Sequence, residues 1–379
     1  MSEIPRVLAV IGDPNQINTW SGTPYFFLKA GTQQGFLSGC LPLRPEGLRH
    51  RRLVWNLVRV LLCSRPGGFQ YTEAFLRRLF GQAHLRDKEP VEIISHFPLL
   101  PPRPWPPGWR VSYYIDATLR QNFIEYGVGD RINAKTREDA LRRELEHYLA
   151  AERIVCMSRW AANSVVESYG VPSSKVHVIF PGANLHDGDL ARVGNHAEQR
   201  LNPLRLGFIG KDWRRKRLPF LLKVAEELER RGVGVRVVAL GPRREDLPSH
   251  PLLEKAGFID KRHDSWRFVQ LVRSFHFGCL FSSAEAYGVA NLECLRLGVP
   301  VLASRVGGIP DTVRDGLAYL FDPNCPPHEV ADLLQFFVRD RVAYHDLQQR
   351  VIRCADEFSW LRTVEKFVSV WDGRGALAA

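Results

Sequence analysis

The stretch that decides the fold of this chain spans residues 281–310 and reads FSSAEAYGVANLECLRLGVPVLASRVGGIP. The apolar residues 279–282 predict a strand, and the polar loop after them ends at Gly288, where apolar residues begin to recur at helical spacing. Gly298 then stops the helix, and residues 301–304 have the largely apolar pattern of a buried strand. Strand, loop, helix and strand in this order are typical of a doubly wound α/β sheet.

Two carboxylates frame the start of this helix. Glu285 lies in the loop and Glu293 lies in the helix, about 12 Å away if the interval were helical throughout. A nucleoside diphosphate sugar has hydroxyl groups at both ends and a diphosphate between them, so two acceptors at this spacing suit its ends. The backbone N–H groups near Gly288, Val289 and Ala290 would face the diphosphate at the positive end of the helix. The alternative interpretation is an N-cap acid at Glu285 and a solvated Glu293.

The whole block resembles the donor-site signature of family 4 (group 1) retaining glycosyltransferases of the GT-B fold. The common form of that signature is S-x-x-E-x-F/Y-G-x-x-x-x-E-A-x-x-x-G-x-P-V-V-A, and this chain has Cys294 where alanine is usual. The resemblance is strong over residues 204–323 and weaker before them. It implies that Glu285 contacts the transferred sugar and that Glu293 contacts the ribose hydroxyls.

A basic loop follows the first predicted strand of the second half of the chain. Residues 210–217 read GKDWRRKR and lie between a strand end and a helix start, where a diphosphate would bind. Family 4 enzymes have a basic pair here, in a pattern like G-x-D-x-x-R-K-G, so the resemblance implies Arg215 and Lys216 as diphosphate contacts. Arg217 stands where glycine is usual. A solvated run of surface charge is the alternative.

The first half of the chain offers two further candidates. Gly22 lies in the loop after the first predicted strand, where relatives carry glycine facing the cleft, so it is a candidate for close backbone approach to the donor. His96 follows the strand-like residues 91–95, and in relatives a histidine here reaches the transferring sugar and its phosphate. Such a histidine could donate a hydrogen bond or a charge to the leaving phosphate. An ordinary turn glycine and a structural histidine are the alternatives.

Arginines are concentrated between residues 44 and 86. They are Arg44, Arg49, Arg51, Arg52, Arg59, Arg65, Arg77, Arg78 and Arg86. Within this stretch Leu53, Leu57, Val60 and Leu61 recur at helical spacing, which predicts an amphipathic helix. Its apolar side either packs on the core and leaves a solvated basic face, or binds an anionic lipid surface.

Composition limits the class of protein. The 379 residues are 45% hydrophobic and 25% charged, which predicts two ordinary globular domains. The net charge of +11 predicts anionic partners, namely nucleotide phosphates, an acidic membrane surface or nucleic acid. Nucleic acid is not expected, because the basic patches lack the interleaved aromatic residues of a recognisable binding module.

Cysteine spacing and hydropathy bear on the compartment. The seven cysteines form no C-x-x-C pair, which indicates buried thiols of a reducing compartment rather than a disulfide framework or a zinc site. The N-terminus lacks the features of a signal peptide, and no segment reaches the roughly 18 apolar residues of a spanning helix. We therefore expect a cytoplasmic protein, and the basic stretch leaves open peripheral attachment to the inner face of the membrane.

Alternation of strands and helices on both sides of a polar segment predicts two Rossmann-like, doubly wound α/β domains that face each other across a cleft. The expected N-terminal, acceptor-side domain is residues 1–186, and a linker follows at 187–203. The expected nucleotide-sugar-binding domain is residues 204–357. By resemblance, residues 358–379 form a helix that crosses back to the first domain, and a loose tail.

The resemblance implies transfer of a hexosyl unit from a nucleoside diphosphate sugar to an acceptor hydroxyl, with retention at the anomeric carbon. Fixed cations and a helix N-terminus would stabilise the leaving diphosphate, so neither a metal nor another cofactor is expected. The chain lacks G-x-G-x-x-G after its first strand and lacks a P-loop, which disfavours a nicotinamide enzyme or a P-loop NTPase. A sugar-nucleotide epimerase or phosphorylase of the same fold, or a non-catalytic nucleotide-binding relative, are the alternatives.

Overall fold

The computed structural model describes residues 4–63, 67–82, 90–194, 200–314 and 316–373. Contacts divide the chain into two compact units. The first contains the residues up to Phe180 together with those from Thr363 onward, and the second is Pro181–Arg362. The sequence analysis expects the corresponding breaks at residues 186, 203 and 357.

Six parallel strands form the sheet of the first unit, in the spatial order β2-β1-β3-β4-β5-β6. The strands are β1 (Arg6–Ile11), β2 (Gly39–Leu43), β3 (Val91–Ser95), β4 (Trp109–Ile115), β5 (Ile154–Cys156) and β6 (Val176–Val178). The α-helices are α1 (Thr23–Gln33), α2 (Arg49–Cys63), α3 (Glu73–Phe80), α4 (Leu119–Glu125), α5 (Ala134–Ala150) and α6 (Arg159–Asn163). The strand order reverses between β1 and β3.

Six parallel strands also form the sheet of the second unit, in the order β12-β11-β10-β7-β8-β9. The strands are β7 (Leu204–Ile209), β8 (Val235–Leu240), β9 (Leu253–Gly257), β10 (Phe277–Leu280), β11 (Val301–Ser304) and β12 (Ala318–Phe321). The α-helices are α7 (Asp187–Leu190), α8 (Leu218–Arg230), α9 (Ser265–Arg273), α10 (Val289–Arg296), α11 (Ile309–Thr312), α12 (Pro327–Arg339) and α13 (Arg341–Cys354), and a last helix, α14 (Trp360–Trp371), is divided between the two units. Here the order reverses between β7 and β10. The prediction of two Rossmann-like parallel sheets is confirmed.

Apolar residues on the central strands explain why both faces of the second sheet are buried. Leu206, Val237 and Phe277 have no exposed surface, as expected for strands covered by helices on both sides. Gly207 on β7 leaves room for the ring of Phe275, which a Cβ atom at Gly207 would meet at 1.9 Å. A side chain at this position would therefore push apart the strand and the segment between α9 and β10.

Helix α14 begins in the second unit, and its residues from Thr363 onward belong to the first. Trp360 donates from Nε1 to Asn184 Oδ1 at 2.9 Å within the second unit. Phe367 is fully buried in the first unit, with its ring centroid 4.8 Å from that of Phe27 and 4.9 Å from that of Tyr114. The last turns of the helix are therefore part of the core of the first unit.

The predicted amphipathic helix forms as α2, and of the two interpretations of its apolar side, the one in which that side packs on the core is wrong. Leu53, Leu57, Val60 and Leu61 are between 46% and 76% exposed. Arg65 and Arg86 of the basic stretch lie outside the described residues. No helix among the residues that the structure describes combines the length and hydrophobicity of a bilayer-spanning segment.

A buried carboxyl group organises the helices of the first unit. Glu144 on α5 has no exposed surface and accepts hydrogen bonds from the Leu119 N–H and the Tyr148 hydroxyl, both at 2.8 Å, and from the Tyr169 hydroxyl. Burial raises the pKa of Glu144 to about 7, although these hydrogen bonds act to lower it. The group therefore titrates in the folded protein well above the ordinary value of 4.5.

This shift predicts that the free energy of unfolding falls as the pH rises between about 4.5 and 7. Between these pH values the folded state binds more protons at Glu144 than the unfolded state does. The stabilisation that is fully present below pH 4.5 is therefore lost as the pH rises through the pKa of the folded protein, about 7. The full effect is about 3 kcal/mol. Urea unfolding of the wild type and of Glu144→Gln at about pH 5 and pH 8 measures it, with Glu138→Gln on the exposed side of α5 as the control. A pH dependence unchanged in Glu144→Gln would contradict this assignment.

Candidate active site

The reversals of strand order mark where a ligand is expected in each sheet. In doubly wound sheets, ligands bind beyond the carboxyl ends of the strands at the point where the strand order reverses. In the second unit the loops at this point are residues 210–217 after β7 and residues 281–288 after β10. In the first unit Gly22 follows β1 and His96 follows β3. Every predicted cluster of site residues is thus next to one of the two reversals.

The two loops of the second unit meet at the carboxylate of Glu285. Lys216 Nζ lies 3.0 Å from Glu285 Oε2, and Arg215 Nη1 lies 3.2 Å from the same oxygen. The Ser282 hydroxyl also donates to Oε2, at 3.1 Å. The structure therefore brings three predicted site residues together in one cluster, and adds Ser282 to them.

Backbone contacts fix the relative position of the two loops. The Ser283 N–H donates to the carbonyl of Arg215 at 2.9 Å, and Arg215 Nη1 donates to the carbonyl of Ala284. The Arg215 N–H donates in turn to Asp212 Oδ1 at 3.1 Å, an acceptor within its own loop. Because side chain and backbone of Arg215 are both held, its guanidinium is already ordered before any ligand binds.

The charge state of the cluster follows from its burial. Lys216 and Glu285 have side chains that are 10% and 14% exposed. Burial opposes ionisation of Glu285, but the charges of Lys216 and Arg215 outweigh it and lower the pKa of the carboxyl group. Near neutral pH Glu285 is therefore a carboxylate held against two cations, and Arg215 Nε also lies 3.5 Å from Asp212 Oδ2.

Helix α10 begins beside this cluster. Gly288 is its N-cap, with φ of +76°, and a Cβ atom there would lie 2.9 Å from the Leu280 side chain. Val289 is half-buried and Ala290 is buried in the first turn, whose N–H groups have no acceptor within the helix. The N-cap is glycine rather than Glu285, so the alternative interpretation of Glu285 as an N-cap acid is wrong.

Glu293 lies in the second turn of α10 and is 3% exposed, so the alternative interpretation of a solvated side chain is also wrong. Its Oε1 accepts from the ammonium group of Lys261, in the loop between β9 and α9. Lys261 also donates to the carbonyl of Asn184 at 3.1 Å and lies 3.8 Å from the ring centroid of Phe268. Glu293 is thus a buried carboxylate compensated by one cation.

A glycine pair supports the loop that carries Glu285. The Gly308 N–H donates to the Glu285 carbonyl oxygen at 3.1 Å. Gly307 has φ of +54°, and a Cβ atom on it would lie 2.0 Å from the same oxygen. Only glycine allows this approach, so the loop after β11 determines where the Glu285 backbone lies.

Arg217 adopts a backbone conformation that favours glycine, the residue usual here in the family pattern quoted above. Its φ is +55°, in the left-handed region, and it precedes α8 as the N-cap. Its guanidinium donates to the carbonyl of Pro323 at 2.5 Å and lies 4.7 Å from the ring centroid of Phe220. These contacts hold an arginine in a conformation that costs an L-residue about 1 kcal/mol.

Gly22 of the first unit is buried and caps α1, with φ of +94°. The two residues before it, Trp20 and Ser21, have φ of +47° and +59°. Three consecutive residues in the left-handed region form a strained turn, and such turns are concentrated at ligand sites.

His96 is buried, and its two ring nitrogens differ. Nδ1 lies 2.7 Å from the carbonyl oxygen of Tyr114, and because a carbonyl only accepts, Nδ1 carries the proton. Nε2 is buried, and in the described part of the chain it has no hydrogen-bond partner. Burial lowers the pKa of His96 to about 4, against the raising effect of Tyr114. Near neutral pH the ring therefore offers an acceptor lone pair, not the donor or charge that the sequence analysis expects.

The family Glycosyl transferases group 1 matches residues 195–355. Residues 195–355 therefore correspond to a group 1 glycosyltransferase domain. This finding confirms the family that the sequence analysis expects.

Curated relatives of this chain agree with the family match. A D-inositol 3-phosphate glycosyltransferase of Nocardia farcinica is 30% identical over 60% of this chain and 55% of its own length. Its counterpart in Kribbella flavida is 26% identical over 59% and 56%. The chain thus spans about half the length of these curated relatives.

Solved structures share the fold of this chain. Sucrose-phosphate synthase from Thermosynechococcus elongatus has a TM-score of 0.68 at 14% identity and covers 98% of this chain and 99% of its own. HepE of Anabaena, solved in complex with UDP-glucose, has a TM-score of 0.62 at 12% identity and covers 97% and 99%. At these identities the likeness shows the GT-B fold alone.

The contacts of Ser282 and Lys261 could not be predicted from the sequence. Ser282 lies in the loop just after the apolar strand β10, and Lys261 lies in a mixed-charge loop, DKRHDSW. Neither pattern by itself indicates a partner. Among the described residues, no three side chains of His, Cys, Asp or Glu lie close enough together to hold a metal ion.

Proposed function

We propose that this protein transfers a hexosyl unit from a nucleoside diphosphate sugar to an acceptor hydroxyl, with retention at the anomeric carbon. The observation that carries the proposal is the cluster of Lys216, Arg215 and Glu285, located where the strand order of the second sheet reverses. Two fixed cations beside the start of α10 suit a diphosphate that gains charge as the glycosidic bond breaks.

The two oxygens of the Glu285 carboxylate are assigned different partners. Lys216, Arg215 and Ser282 all contact Oε2. Oε1 is therefore the oxygen assigned to the sugar hydroxyls. When the diphosphate binds, it becomes a second anionic partner of the two cations, and the sugar lies next to the carboxylate.

Glu293 is assigned to the ribose hydroxyls. It is buried and ionic, and charge-assisted hydrogen bonds from hydroxyl groups to such a carboxylate are strong. Lys261 holds the carboxylate in place and compensates its charge before the nucleotide arrives. The complex of HepE with UDP-glucose supports a nucleotide-sugar donor by analogy of fold.

His96 and Gly22 are assigned to the donor from the first unit. The lone pair on His96 Nε2 accepts a hydrogen bond from a hydroxyl of the transferred sugar, since its other nitrogen is occupied by Tyr114. The turn at Gly22 allows the backbone to approach the donor. No metal is assigned to the reaction, because Lys216 and Arg215 supply the positive charge that a divalent cation supplies elsewhere.

A panel of nucleotide sugars tests the proposal. A donor at about 100 times its dissociation constant stabilises the fold by about 2.7 kcal/mol, which a thermal-shift assay detects. The donor with the largest shift is then incubated with candidate acceptors, with and without EDTA, and the product is examined by NMR. We expect a new glycosidic bond, retained anomeric configuration and no effect of EDTA.

Other outcomes separate the alternatives. Binding without any new glycosidic bond would indicate an epimerase, if the sugar of the donor is altered, or a non-catalytic nucleotide binder, if it is not. An inverted product would contradict retention, and loss of activity in EDTA would contradict a metal-independent reaction.

A further inference from the structure

Helix α2 of the first unit presents its apolar side outward. At about 100° per residue, the apolar positions of this 15-residue helix occupy one broad sector of its circumference. The exposed apolar side chains in that sector are Leu53, Val54, Leu57, Val58, Leu61 and Leu62. A surface helix ordinarily turns such a side toward the core.

The opposite side of α2 attaches it to the unit. Trp55 is half-buried, with its ring centroid 6.0 Å from that of Phe69, and Leu48 just before the helix is buried. The Arg59 guanidinium lies 4.4 Å from the centre of the Trp55 ring. These contacts fix the rotation of the helix, so the outward direction of the leucines follows from the packing.

The size of this apolar surface is unusual for the protein. Seven of the thirteen large hydrophobic side chains that are exposed among the described residues belong to α2, including Val60 at 46%. The other six, such as Ile124 and Phe258, are spread over several elements. Scattered hydrophobic residues are normal on a protein surface, but a contiguous patch marks an interaction site.

The charge around the patch indicates its partner. The helix begins with Arg49, His50, Arg51 and Arg52, all of which are exposed, and it contains no acidic residue. On the helical circumference Arg49 and Arg51 lie at about the two edges of the apolar sector. Leucines between flanking arginines suit a partner that has an apolar interior and anionic groups at its surface.

We propose that α2 binds in the plane of an anionic lipid bilayer, with its leucines among the acyl chains and its arginines at the headgroup phosphates. The helix is about 22 Å long, shorter than the roughly 30 Å core of a bilayer, so it lies in the interface rather than across it. A second copy of the chain fits less well, because α2 has no acidic residue that could pair with the arginines of the other copy, and each chain has a net charge of +11.

Vesicle sedimentation tests this proposal without any need for a glycosyl acceptor. The probes are vesicles of phosphatidylcholine alone and of phosphatidylcholine mixed with phosphatidylglycerol. We expect binding to the mixed vesicles, weakened by salt, and a loss of at least about tenfold in the double variant Leu57→Glu/Leu61→Glu. The double variant Arg49→Gln/Arg51→Gln should lose about fivefold for each arginine removed.

Ile124→Glu is the matched control, since Ile124 is as exposed as the leucines but lies on α4. It should bind the mixed vesicles like the wild type, and all variants should keep the wild-type Tm because the changed side chains are exposed. Equal binding of the wild type and the leucine variant would overturn the proposal. So would an absence of vesicle binding combined with self-association in analytical ultracentrifugation that the leucine variant abolishes.

Discussion

Replacing Lys216 by alanine is expected to lower kcat for glycosyl transfer by about 100- to 1,000-fold. The ammonium group is buried, lies 3.0 Å from Glu285 and is proposed to face the leaving diphosphate. Its loss removes charge stabilisation where water is largely excluded. It also removes the positive charge that contributes most to lowering the pKa of Glu285, so the pKa of this carboxyl group should rise. Initial rates with the donor selected by thermal shift, measured across pH, test both effects.

Lys223→Ala is the matched control for Lys216→Ala. Lys223 lies on α8, immediately after the same loop, but its side chain is exposed. We expect this variant to keep the wild-type kcat. If a folded Lys216→Ala protein, verified by circular dichroism, turned over the donor within about threefold of Lys223→Ala, the proposed site would be wrong.

The second large effect is expected from Gly307→Ala. A Cβ atom at Gly307 would lie 2.0 Å from the carbonyl oxygen of Glu285, so the loop carrying this carboxylate must shift. A displacement of about 1 Å at a reacting group costs about 100-fold in rate. We therefore expect kcat to fall by about that factor although no catalytic side chain has changed. Steady-state kinetics and a crystal structure of the variant would relate the loss to the displaced loop.

Gly316→Ala separates this displacement from simple backbone strain. Gly316 also has a positive φ, +79°, but among the described residues no atom beyond its chain neighbours would lie within 4 Å of a Cβ atom there. Alanine there should cost about 1 kcal/mol of stability and leave kcat unchanged. Equal activity losses in the two variants would mean that strain, and not the position of Glu285, explains the effect of Gly307→Ala.

The sequence was sufficient to predict the two parallel sheets, because apolar strands alternate with helices along the chain. Local signals placed Arg215, Lys216 and Glu285 in loops that follow strands, and the resemblance to family 4 enzymes selected them as candidate site residues. Parallel strands place their carboxyl ends at one edge of a sheet, so loops that are distant in sequence meet there once the strand order is set. The strand order itself, with the reversal between β7 and β10, came only from the structure.

Partners far apart in the chain could not be predicted from the sequence. Lys261 and Glu293 are 32 residues apart, and His96 contacts the carbonyl of Tyr114 18 residues away, so neither the ion pair nor the acceptor role of the histidine has a local signal. Likewise, the need for glycine at position 307 comes from its contact with the carbonyl of Glu285, 22 residues earlier in the chain.

Helix α2 shows which properties the local sequence determines and which depend on tertiary packing. Periodicity determined that residues around Leu57 form a helix with one apolar side, since that property depends on spacing along the chain. Which way the side faces depends on the contacts that hold the helix, here those of Trp55 with Phe69. Tertiary packing alone turned the leucines outward, because the chain cannot encode in a local pattern what lies opposite it in space.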